Sequence, residues 1–93
     1  MRSQTSPSIT SGIDELSHIE SEIISCELCP LANTRKNAVP GEGPINAQIM
    51  LIGEGPGHHE NEQGLPFVGA SGKLLTQLLA SIGLKRSDVY ITN

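Results

Sequence analysis

The sequence is short of the side chains that usually fill a protein interior: it has one Tyr, one Phe and no Trp. Aromatic rings dominate the buried area of most cores, so a core here must rest on Ile, Leu, Val and Ala. No apolar run approaches the roughly 20 residues that span a bilayer. Residues 1–12 are rich in Ser and Thr and lack the apolar stretch of a secretory signal. The expected location is therefore cytoplasmic, with no membrane contact, and no obligate protein partner is evident. Positive charge is scarce as well, six Lys and Arg against ten Asp and Glu, for a net charge of −4. Phosphate neutralisation needs Lys and Arg, which disfavours a broadly electrostatic DNA binder. Residues 1–25 carry one Arg against four acids, so residues 26–93 stand at only −1 and a nucleic-acid partner stays open. The only two cysteines, Cys26 and Cys29, are separated by two residues and suggest metal or redox chemistry more than a structural disulfide.

What is present falls into short blocks. Residues 1–12 are polar and aperiodic and read as a flexible tail ahead of a single domain over residues 13–93. Ser11 and Asp14 fit a helix-start pattern. Ile13, Leu16, Ile19, Ile23 and Ile24 then mark one face of an amphipathic helix that ends near Cys26. Residues 30–47, with Pro40, Gly41, Gly43 and Pro44, read as a long connection. Ile49-Met50-Leu51-Ile52 is a continuous apolar run, as expected of a strand buried on both faces in a parallel sheet. Gly53 to Gly69, with five glycines and two prolines, reads as loop. Leu74, Leu75, Leu78, Leu79 and Ile82 predict a second amphipathic helix, with Gly83 placed to cap its end. Val89 to Thr92 predicts another strand. The fold class expected is α/β, with one βαβ unit behind an N-terminal helix. One such unit leaves sheet edges open, and the sequence stops at a strand. The chain is therefore expected to be a fragment or a truncated reading frame.

Three stretches can carry chemistry. Gly53-Glu54-Gly55-Pro56-Gly57 follows the first strand, and ligands of open α/β sheets bind beyond the carboxyl ends of strands. Its glycines allow close backbone approach to a ligand, although Gly-rich turns after strands are also common as plain structure. The stretch is neither a P-loop nor a G-x-G-x-x-G fingerprint. Phe67, between Pro66 and Val68-Gly69, stands off any periodic apolar face. It is either a plug over the core or a ring for stacking on a flipped base. Cys26-Glu27-Leu28-Cys29 has the spacing of a metal clamp or a redox pair. Zinc through both cysteines with His58 and His59 is one further option.

Taken together the motifs resemble family 4 uracil-DNA glycosylases, the thermostable, iron–sulfur type. The resemblance runs through Cys26-x-x-Cys29, Leu31, Arg35, Val39, Gly41, Gly43 and Ala47, and through Gly-Glu-Gly-Pro-Gly at 53–57. It continues with Gly64-x-Pro66-Phe67-Val68-Gly69, Ser71-Gly72-x-Leu74-Leu75, Gly83-Leu84, Arg86 and Val89-Tyr90-Ile91-Thr92-Asn93. It covers about residues 13–93. No single motif is specific, but their order and spacing are.

The resemblance implies a three-layer α/β/α sandwich, represented here by its N-terminal part, and release of uracil from DNA by hydrolysis of the N-glycosidic bond. It places Glu54, Gly55, Pro56 and Gly57 in the loop that holds uracil and helps position the attacking water. Glu60 is implied as the acid that guards uracil C5 against thymine's methyl, and catalytic roles fall to Glu54, Gly55 and Glu60. Gly55, Gly57, Phe67 and Asn93 are implied as uracil contacts, Phe67 by stacking and Asn93 by reading the base edge. Cys26 and Cys29 are implied as two of the four thiolate ligands of a [4Fe–4S] cluster. Two positions depart from the pattern: Gly55 stands where Ala is common, and Asn61 where an acid is often found. The family's other two cluster cysteines and its histidine-bearing motif lie beyond Asn93, so the 93-residue chain alone is expected to be inactive. Two other classes remain compatible: a non-catalytic nucleic-acid or interaction module on the same fold, and a small zinc or redox protein built on Cys26 and Cys29.

Overall fold

The computed structural model describes residues 9–93. Helix α1 spans Ile9–Ile24 and α2 is a single turn, Leu31–Thr34. Strand β1 is Met50–Ile52, helix α3 His58–Gln63, helix α4 Ala70–Ser81, and strand β2 Tyr90–Thr92, entered through a 3-10 turn at Arg86–Asp88. The expected tail over residues 1–12 lies in part outside the described residues, and from Ile9 the chain is already helical. The domain boundary drawn at residue 13 therefore falls inside α1.

The two strands pair in parallel, with Met50 opposite Tyr90, Leu51 opposite Ile91 and Ile52 opposite Thr92. This is the expected βαβ connection, with α3 and α4 in the crossover. The far edge of β2 is covered as well. Glu42 and Ile91 exchange both backbone hydrogen bonds at 2.8 Å, an antiparallel bridge from within the segment read as plain connection. Thr92 Oγ1 also donates to the Pro40 carbonyl at 2.6 Å. Strand β2 is thus the central element, bonded on both sides, and its Ile91, with Val89 just before the strand, lies at the centre of the core. Val89 and Ile91 are 0% and 1% exposed and pack with Leu79, against which Leu51, Phe67, Leu75 and Leu84 close.

Two expectations of burial are corrected. The Ile49–Ile52 run is not buried on both faces: Leu51 turns toward the core, while Met50 and Ile52 are 58% and 70% exposed. No described element packs on that second face. On α4, only Leu75 and Leu79 reach the core, and Leu74, Leu78 and Ile82 are exposed. Residues four apart form one row along a helix, and a sheet of two strands is wide enough to cover only one of the two apolar rows. Gly83, at φ +80, adopts the left-handed conformation that lets the chain leave α4.

The Gly53–Gly69 stretch is likewise not all loop, because residues 58–63 form α3. Its last turn is tied to the segment after α2 by Asn61, whose Oδ1 accepts the backbone N–H of Lys36 at 2.7 Å and of Asn37 at 3.3 Å. Asn37 Nδ2 answers by donating to the carbonyls of Asn61 and Glu62. The departure at position 61 therefore preserves an oxygen acceptor where a carboxylate would also serve. Asn61→Ala is expected to lower stability by about 1–2 kcal/mol, the usual effect of losing one or two such bonds. Asn61→Asp is expected to stay within about 0.5 kcal/mol of the parent, with denaturant unfolding of both variants as the check.

Candidate functional site

At the carboxyl end of the paired strands lies an open-mouthed cavity of about 180 Å³, lined by Gly55, Gly57, Glu60, Phe67, Ser71 and Asn93. At roughly 30 Å³ per water, that space is commensurate with one small planar ring. Of the residues singled out from the sequence, Gly55, Gly57, Glu60, Phe67 and Asn93 meet here, although they span some 40 positions. Glu54 is exposed and does not line the cavity.

Each wall has a local cause. Gly53 ends β1 by donating its N–H to Thr92 O at 2.8 Å. A Cβ at Gly53 would lie 2.7 Å from the Phe67 ring and 2.8 Å from Asn93 Oδ1. Ring and amide therefore close over this position only because it carries no side chain. At Gly55 a Cβ would meet nothing within 4 Å, so the alanine common there in the resembling family is sterically interchangeable with glycine. Asn93 Nδ2 is buried and finds no acceptor among the described residues. A buried amide donor left unpaired costs about 1–3 kcal/mol, an expense that points to a partner outside the chain.

Glu60 organises the whole site. It is 8% exposed, and its carboxylate accepts three backbone N–H groups: Gly57 at 2.9 Å on Oε1, and Val68 at 2.8 Å and Gly69 at 3.0 Å on Oε2. Gly57 and Gly69 are the N-cap residues of α3 and α4, so one side chain occupies the start of two helices. The Val68 N–H does most to hold this carboxyl below its ordinary value of 4.5, joined by its own N–H and those of Gly69 and Gly57, against the upward push of burial. With both oxygens committed to backbone, Glu60 is built to remain an anion and a brace.

Phe67 is the one described non-glycine residue with positive φ, at 51°. Its carbonyl packs against Gly72 in the first turn of α4, where a Cβ would overlap the carbonyl oxygen. Arg86 grips the same turn, Nη1 donating to Phe67 O and Nη2 to Pro66 O, both at 3.0 Å. Sequence reasoning gave no role to Arg86 or Ser71. Arg86 stands in the family pattern, but it lies in a 3-10 turn with no periodic signal, and only the fold brings it to residue 67.

The cysteines lie elsewhere, after α1. Both thiols are free, Cys26 half-buried and Cys29 exposed. Arg35 Nη2 donates to the carbonyls of Ile24 and Cys26 at 2.9 and 2.8 Å, closing the C-terminal end of α1. Among the described residues no group of three or more His, Cys, Asp or Glu converges on a point. His58 and His59 stack edge to face on α3 and do not complete a site with the cysteines, which removes the four-ligand zinc option. As donors, the two thiols fit half of a four-thiolate set. No described helix is long and apolar enough to cross a membrane.

Because the folded state holds the Glu60 carboxyl below its ordinary value of 4.5, its contribution to stability is fully present above that pH. It is lost as pH falls through the lower folded value. Glu60→Gln should be less stable than the parent at neutral pH and show a weaker decline on acidification below pH 4.5. Thermal melts of the two proteins across the acid range check this; parallel curves would contradict it.

Comparison with known proteins agrees with the geometry. The Uracil DNA glycosylase superfamily matches over residues 40–93, the segment that contains every lining residue of the cavity. The chain is 56% identical over 81 residues to a type-4 uracil-DNA glycosylase of Archaeoglobus fulgidus, covering 87% of this chain and 41% of that protein. It is 55% identical over 82 residues to the type-4 uracil-DNA glycosylase of Sulfurisphaera tokodaii, covering 87% and 37%. For that of Thermotoga maritima the identity is 49% over 81 residues, covering 86% and 42%. The chain thus spans about two-fifths of the length of these relatives. The matched segment holds the parallel β1–β2 pair and the cavity at its strand ends, and the chain belongs to the uracil DNA glycosylase superfamily.

Proposed function

We propose that the complete protein carrying these residues excises uracil from DNA by hydrolysing its N-glycosidic bond, and that the cavity is the uracil pocket. The observation that carries this reading is the buried, unpaired Nδ2 of Asn93, facing a cavity roofed by Phe67. Uracil presents O4 as acceptor beside N3–H as donor. An Asn amide matches that pair, with Nδ2 donating to O4 and Oδ1 accepting from N3–H. Cytosine reverses the pattern and leaves polar groups unpaired, which is the stronger form of discrimination. Phe67 supplies the face on which an unstacked base rests, offsetting part of the few kcal/mol spent in leaving the duplex.

As the bond breaks, the sugar gains positive charge and uracil leaves as an anion. Backbone N–H groups of the 53–57 loop are the donors proposed to stabilise the charge at O2, in a site where they need no rearrangement. Glu54, at the exposed rim of this loop, is the carboxylate available to orient water. Glu60, beside Phe67 in the wall, narrows the space in which a C5 methyl would sit. Cys26 and Cys29 are the proposed half of the ligand set of a [4Fe–4S] cluster, which when bound would cross-link the segment after α1 to the remainder of the protein. DNA as substrate sets the cytoplasm as the proposed location.

Uracil release from a uracil-containing oligonucleotide by the complete protein tests the reading. Parent protein is expected to release uracil and leave cytosine and thymine in place. Asn93→Ala should slow release about a hundredfold or more, the usual effect of removing one preorganised contact to the reacting group. Binding of the oligonucleotide with no release by the parent would overturn the proposal and establish a non-catalytic module.

A further inference from the structure

We propose that Arg86 is a positioning residue for base recognition, holding Phe67 in the left-handed backbone conformation that turns its ring over Gly53 and Asn93. The proposal rests on the reading of Phe67 as the base-stacking ring. Left-handed φ is costly for a residue with a Cβ, and persists only where the surroundings over-determine it. Here they do so from both sides. Glu60 takes the N–H groups of Val68 and Gly69, the two residues after the turn. Arg86 takes the carbonyls of Pro66 and Phe67, with both of its bonds at 3.0 Å. Gly72 leaves room for the Phe67 carbonyl to point this way.

The forked guanidinium is essential to this arrangement. Two carbonyls of consecutive residues are held by the two Nη groups of one side chain, a fixed fork that an ammonium does not offer. Arg86 has a second neighbour, Glu42, whose carboxylate lies 3.5 Å from Nη2. That contact is long, and Glu42 is about half exposed, so it contributes little. The carbonyls, not the acid, account for the position of Arg86. The site therefore uses a residue of the turn before β2 to set the ring of a residue before α4. Because Asn93 sits at the end of the same strand, ring and amide are referenced to one element.

The test uses the complete protein and free uracil as probe, with four substitutions and one double variant. Arg86→Gln should weaken uracil binding roughly tenfold, the effect of losing hydrogen bonds that fix one orientation. Arg86→Lys should recover only part of this, and Glu42→Gln should change binding less than twofold. In a Phe67→Ala background, Arg86→Gln should add almost nothing, because an arginine that acts only through the ring has no effect once the ring is gone. The ring resonances of Phe67 in the unliganded protein should shift in Arg86→Gln and stay in place in Glu42→Gln. Additive losses in the double variant, full rescue by Lys, or an unmoved Phe67 ring would each overturn the proposal. Should the parent bind no uracil, the function reading fails, and the ring resonances alone decide whether Arg86 sets the conformation. If Arg86→Gln does not fold, the Lys variant carries the same comparison.

Discussion

One carboxylate holds the site together. Glu60 reaches back to the first amide of its own helix and across to the first amide of the next, with the Val68 amide between them. A helix start leaves N–H groups without partners, and Glu60 satisfies two such starts while carrying negative charge where both helix dipoles favour it. The bonds are charge-assisted and shielded from water, so each is stronger than an exposed equivalent. The loop leaving β1 and the loop entering α4 would otherwise be separate glycine-rich segments. Tied by Glu60, they form one wall, and Phe67 is carried on it.

The remaining parts are referenced to β2. This strand is bonded to β1 on one side and to Glu42 on the other, and its Ile91, with Val89 just before it, is among the most buried of the described side chains. Arg86 precedes it and Asn93 follows it. A rigid strand thus fixes the polar reader of the base edge, and through Arg86 it governs the ring that roofs the pocket. The strained residue and the unpaired amide are both local costs. They are borne at the cavity and offset by the packing of Val89, Ile91 and Leu79 just behind it. Such placement of cost at a binding site and stability in the scaffold is what preorganised recognition demands.

Much of this was readable in the residues. Both strands, the parallel connection and α4 follow from short apolar runs and helical spacing, and the glycine loop after β1 lies where the cavity forms. Helix α3 was not readable, because His58–Gln63 is polar throughout and offers no periodicity. Its signals were subtler: an acid three residues after Gly57, and Gly64 at φ 73 to end it. The bridge at Glu42 was equally silent, since one residue pairing alone has no pattern. Exposure of Met50, Ile52 and the Leu74–Leu78 row could not be read either. An apolar run states what can be buried, and the elements actually packed on it decide what is. Arg86 was visible in the family pattern but not in its role, which depends on two carbonyls brought near it by the crossover.

The most direct test of the Glu60 brace is an acid titration followed by the backbone amide resonances of Gly57, Val68 and Gly69. If one carboxylate holds all three, their shifts should move together, with a single midpoint below the ordinary carboxyl value of 4.5. Three unrelated midpoints, or amides that ignore the titration, would mean that the two helix starts are held independently and that Glu60 does not organise the site.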